Sequence, residues 1–77
     1  MLMTGYIVGE TEKAVALVRD SDVKAGVKPM WLPRKKIAQI IERDVRDCAI
    51  ETANGRKIGL PVLVDVDDEF LARIGVS

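Results

Sequence analysis

Hydrophobic positions along this chain fall into short runs of strand length, separated by turn-forming residues. Residues 4–9 (Thr-Gly-Tyr-Ile-Val-Gly) form a β-prone run bounded by glycines. Residues 13–19 (Lys-Ala-Val-Ala-Leu-Val-Arg) are apolar in the middle and end in Asp20-Ser21-Asp22, a turn-forming triplet. Ala and Leu also favour a helix, but the length of the run and its flanking turn favour a strand. Residues 20–28 then read as an elongated hairpin loop. Pro29 and Pro33 bracket Met30-Trp31-Leu32. The residue before a proline is biased to extended geometry, so this triplet is predicted as an edge or short strand.

Residues 34–43 carry two signals. Ile37, Ile40 and Ile41 have helical spacing, and Pro33 suits a first helical turn. The basic residues that follow Pro33 oppose the helix dipole, and Ile40-Ile41 suits a strand. A tight turn over residues 33–36 and a strand through Glu42 are therefore expected. Asn54-Gly55 is the clearest local signal. It predicts a type I′ hairpin turn between residues 48–52 and 56–58, with Ile50 and Ile58 among the buried positions. Residues 60–66 form a further β-branched run with Pro61 near its start. Residues 67–75 predict a short helix, with an aspartate N-cap, acids in the first turn, Arg73 in the last turn and Gly75 beyond it. Phe70, Leu71 and Ile74 form its inward side. The sum is a mainly β domain over residues 1–77, with about five short strands and one C-terminal helix. A twisted antiparallel sheet or a small SH3-like or OB-like barrel is expected, since closure protects strand edges.

Composition narrows the chemistry. The chain has 77 residues, 12 Lys+Arg against 12 Asp+Glu, one Cys and no His. Zero net charge argues against a general nucleic-acid coat protein. One Cys without His excludes an internal disulfide, the usual zinc sites and His-based triads. Cys48, Tyr6 and Phe70 read as core residues. No glycine-rich phosphate loop, signal peptide or membrane span is visible. The expectation is a cytoplasmic, non-enzymatic domain without cofactor or metal.

Position reveals more charge than the total. Lys24, Lys28, Arg34, Lys35 and Lys36 give +5 over residues 24–36, with no acid among them. Residues 62–77 carry Asp65, Asp67, Asp68 and Glu69 against Arg73 alone, a balance of −3. Lys28, Trp31, Arg34, Lys35 and Lys36 are candidates for nucleic-acid binding, with Trp31 as a base-stacking platform. The competing reading, favoured by a core with few aromatics, buries Trp31 and leaves the cations in a solvated loop. Asp65, Asp67, Asp68 and Glu69 are candidates for protein binding, by mimicry of nucleic acid on a partner's basic channel. Helix capping explains Asp67, Asp68 and Glu69 equally well, and the glycine and spacing of a calcium loop are missing.

Three segments carry a resemblance. They are Glu10-Thr11-Glu12-Lys13-Ala14-Val15, Met30-Trp31-Leu32-Pro33-Arg34-Lys35 and Phe70-Leu71-Ala72-Arg73-Ile74-Gly75. This resembles a set of short proteins from phages and other mobile elements. These carry an E-T-E-K-A-(I/V) strand, a W-(I/L)-P-(K/R)-(S/K) strand and turn, and a closing W/F-L-A-x-x-G helix. Residues 20–28 are longer than the tight hairpin expected there, and residues 46–60 add the Asn-Gly hairpin. Those proteins have no established activity, so no site residues carry over. With the small size and missing catalytic groups, the resemblance implies an anti-CRISPR inhibitor. Such a protein docks on a CRISPR effector complex in the bacterial cytoplasm and blocks target-DNA binding. It would act as a monomer or small homo-oligomer. The alternative is a small nucleic-acid-binding barrel.

Overall fold

The computed structural model describes residues 1–76. Six strands and one helix follow in chain order: β1 (Leu2–Glu10), β2 (Ala14–Arg19), β3 (Met30–Pro33), β4 (Ile37–Glu42), β5 (Cys48–Thr52), β6 (Gly55–Val66) and α1 (Asp68–Arg73). Short 3-10 turns occupy Asp20–Asp22 and Arg34–Lys36. The mainly β expectation holds. All strand pairs are antiparallel, in the order β3-β2-β1-β6-β4, with β5 pairing the first half of β6. The helical alternative at residues 37–42 falls away, because the segment pairs with β6 as a strand.

Strands β5 and β4 share one long partner, β6. Residues 55–59 of β6 pair with β5, and residues 60–66 run between β1 and β4. The runs read separately on either side of Gly59 are thus one strand of 12 residues. Gly59 is where it needs no side chain: a Cβ there would lie 2.6 Å from the Tyr6 Cβ and 2.9 Å from Ile50 Cδ1. The loop before β3 is tied to β5, with Gly26 N–H donating to the Glu51 carbonyl at 2.8 Å and Ala53 N–H to that of Val27 at 2.9 Å. The open sheet is thereby drawn round at this end.

Two apolar clusters lie on the two faces. Met3, Val15, Leu17, Leu32, Val62, Val64 and Val66 pack with Leu71 of α1 on one face. Val18, Val27 and Ile50 pack on the other, with Tyr6, Val8 and Cys48 half-buried beside them. Strand β2 is covered on both faces, with Val15, Ala16, Leu17 and Val18 all buried. Two-sided burial explains why its sequence is an unbroken apolar run rather than an alternation.

Helix α1 is too short to persist alone and depends on its caps and on Leu71. Asp67 Oδ2 accepts from Phe70 N–H at 3.0 Å. At the other end Gly75 takes φ 80°, Gly75 N–H donates to Ala72 O at 3.3 Å and Val76 N–H to Leu71 O at 2.9 Å. This is a Schellman closure, with Val76 packed on the same core as Leu71.

Four sequence expectations are corrected. Ile58 is 65% exposed, because it sits opposite the exposed Ala49, on the face of the β5–β6 hairpin turned away from the buried Ile50. Ile74 ends the helix on its solvent side at 45% exposure, while Phe70 is half-buried. The hairpin turn is not type I′: no non-glycine residue among those described has positive φ, and Thr52 pairs directly with Gly55, leaving Ala53 and Asn54 as the loop. Thr52 sets this register by donating its hydroxyl to Gly55 O at 2.7 Å and accepting from Asn54 N–H at 3.2 Å. Finally, Trp31 lies outside the core at 52% exposure.

One side chain unnoticed in the sequence braces the sheet. The Arg43 guanidinium donates to both Asp20 carboxylate oxygens at 3.1 and 3.0 Å and to Gly5 O at 3.1 Å. It also lies 5.4 Å from the Tyr6 ring centroid. Arg43→Ala is expected to destabilise the fold by about 2 kcal/mol, the scale of hydrogen bonds to a charged group. Arg43→Lys will not restore it, because an ammonium lacks the two-pronged fork. Urea unfolding of the two variants checks this.

Candidate interaction surface

Side chains alternate along a strand, so either Trp31 or Leu32 faces the helix-covered core. Pairing decides which. Leu32 sits opposite Val15 and is fully buried, whereas Trp31 sits opposite Ala16 on the other face. The small Ala16 side chain leaves a groove of about 280 Å³ there. Val8, Ala16, Pro29 and Trp31 form its apolar wall, and Asn54 and Lys57 of the β5–β6 hairpin form its far side. The Val27–Thr52 bridge brings that hairpin into place. Asn54 and Lys57 were not legible as site residues, since only this long-range closure sets them facing Trp31.

The cations near Trp31 in sequence do not form one strip in space. Arg34 is committed to β1, bonding Glu10 Oε2 at 2.9 Å and Thr11 O at 3.2 Å. Lys28 borders a separate depression with Lys24 and Val27. Lys35 and Lys36 instead line a shallow hollow with Asp65, Asp67 and Asp68. The backbone joins the two segments there, Asp67 N–H donating to Lys36 O at 2.8 Å. Charges that are segregated along the chain therefore meet at one corner of the molecule.

Each acid of the C-terminal cluster has an intramolecular partner. Asp67 caps α1, and Glu69 pairs with Arg73 at 2.9 Å, one helical turn away. The Met1 ammonium lies 2.6 Å from Asp68 and 3.2 Å from Asp65, and also donates to Val66 O at 2.8 Å. Hydrogen bonding to Asp68, with a smaller contribution from Asp65, raises the ammonium pKa above its ordinary value. A raised folded-state pKa contributes stability that is full below the unfolded value. It is lost as pH rises through the folded one. In a chain beginning at Met1, the stability difference between the parent and Asp68→Asn should shrink as pH rises above about 8. Urea midpoints measured against pH check it.

Among the described residues, no group of three or more His, Cys, Asp or Glu side chains is placed to hold a metal ion. Cys48 is half-buried beside the second cluster. Among the described residues, no helix is long and apolar enough to cross a membrane.

The chain matches no known protein family, no characterised protein and no solved structure.

Proposed function

We propose that this domain is a non-enzymatic interaction module that docks on a protein partner through the Trp31 groove. The observation that carries the reading is the half-exposed Trp31 in a mostly apolar groove. Tryptophan is among the side chains most enriched at the energetic centres of protein interfaces. The partition of charge supports a protein partner over nucleic acid. Phosphate binding depends on cations free to displace counterions, and Arg34 is paired with Glu10 while Lys35 and Lys36 sit among aspartates. Lys57 is the one cation lining the groove itself.

A concrete form of this function is inhibition of a CRISPR effector complex by a protein of mobile-element origin. That form rests on the sequence resemblance and the small size. On this reading Asp65, Asp67, Asp68 and Glu69 form a second contact region, separate from the Trp31 groove, whose lining includes none of them. Co-purification with effector subunits, together with phage plating, tests it. A complex supports inhibition; no complex and unchanged plating overturn it.

The broader reading is tested by capturing partners from a bacterial lysate and comparing the parent with Trp31→Ala. The expected result is a complex weakened roughly 30-fold by the substitution, the scale of an interface hot spot, with circular dichroism unchanged. Retardation of DNA at about 50 mM salt, abolished by Trp31→Ala, would instead establish the nucleic-acid alternative.

A further inference from the structure

The sheet ends in two strands, β3 and β4, and they differ in how they treat their outer edges. Strand β3 has four residues, ends in Pro33 and follows Pro29, so proline interrupts its row of N–H donors at both ends. Strand β4 has no such protection. It pairs with β6 alone, contains no proline, and holds no charge between Ile37 and Ile41. Ile40 and Ile41 are 38% and 44% exposed. They lie on opposite faces, since Ile40 pairs with Val64 and Ile41 with Leu63. A strand added to this edge would gain an apolar contact on each face.

The direction of such a strand follows from backbone and charge. Arg43 N–H donates inward to Pro61 O at 3.0 Å, so with the alternation of an antiparallel ladder Ile40 and Glu42 turn their N–H and C=O groups outward. Arg34, Lys35 and Lys36 precede β4, and Glu42 and Asp44 stand at and beyond its end. Arg34 and Arg43 are already paired, with Glu10 and Asp20, which leaves Lys35 and Lys36 at the start and Glu42 and Asp44 at the end. The strand is thus positive at its start and negative at its end, and an antiparallel copy of itself is its electrostatic complement. A bulge between Ile37 and Gln39 places the regular part of the strand after Ala38.

We propose that two copies of the chain pair antiparallel through β4 about a two-fold axis at Ile40. Ile40 then meets its own counterpart, Gln39 faces Ile41, and Lys36 of each copy comes to the same end of the contact as Asp44 of the other. The contact is isologous and extends the sheet across both molecules. Zero net charge leaves no long-range repulsion to oppose it. The edge lies at the opposite end of the strand order from Trp31, so pairing leaves the proposed groove free.

Sedimentation equilibrium over a wide concentration range tests the proposal. The mass should rise from 8.5 kDa toward twice that value, and Ile40→Lys should hold it at the monomer. Lys36→Glu and Asp44→Lys should each weaken association, while an equimolar mixture of the two should restore it, because opposite charges then meet at both ends. That recovery also shows that both variants are folded. A parent monomeric at every concentration overturns the proposal. So does a mixture that fails to recover, or a dimer dissolved by Ile58→Lys and untouched by Ile40→Lys.

Discussion

Replacing Leu32 with alanine is expected to destabilise the domain by about 4 kcal/mol, near the upper part of the range for a fully buried leucine. Replacing its neighbour Trp31 should lose at most about 2.5 kcal/mol, although the side chain is far larger. Leu32 is fully buried opposite Val15, within the cluster that Leu71 covers. Its removal forfeits transfer free energy and leaves a cavity that the surrounding strands are too constrained to fill. Trp31 is 52% exposed, so about half of a roughly 200 Å² side chain is at stake, at about 25 cal/mol per Å². Denaturant unfolding of the two single variants gives the order directly. A larger loss at Trp31 than at Leu32 would return the tryptophan to the core.

Gly5→Ala is the second large effect, about 3 kcal/mol, at the top of the usual range for overpacking. At 4–8 °C per kcal/mol for a domain of this size, the thermal midpoint should fall by roughly 12–24 °C. The reason is local. A Cβ at Gly5 would stand 2.5 Å from the Val18 carbonyl oxygen and 3.0 Å from the Arg19 Cα. Both are backbone atoms of the adjacent strand, so no side chain can rotate away. The Gly5 carbonyl also accepts from Arg43, so displacement of β1 would disturb the brace to Asp20 as well. Gly9→Ala is the control, since its Cβ would meet only the Ala16 Cβ at 3.8 Å. A Gly5→Ala thermal midpoint equal to that of Gly9→Ala would contradict the close approach of β1 and β2.

Much of the fold was legible in local chemistry. The Asp67 cap, Arg73 and Gly75 marked α1 at both ends, and Pro29 and Pro33 framed β3. What escaped was decided by pairing between distant residues. Alternation alone places Trp31 and Leu32 on opposite faces, but the choice of inward face depends on Val15 opposite Leu32. The turn at Asn54-Gly55 slipped by one residue because the Thr52 hydroxyl bonds across it, a contact that turn propensity does not include. The charge blocks seemed separate because residues 36 and 67 are far apart in sequence, whereas their backbones are hydrogen-bonded. Arg43 gave no signal, because its value lies in Asp20, Gly5 and Tyr6 meeting around it.

The proposed docking role rests on Trp31 being accessible to a partner, and the chain has one tryptophan, so its fluorescence reports on that residue alone. Acrylamide quenching is the most direct measurement. The expected result is quenching in the folded chain well above that of a buried tryptophan and below that of the unfolded chain. A captured protein partner should then shield the ring, and single-stranded DNA should not. A tryptophan already shielded in the folded chain alone, or one shielded by DNA and not by protein, would contradict it.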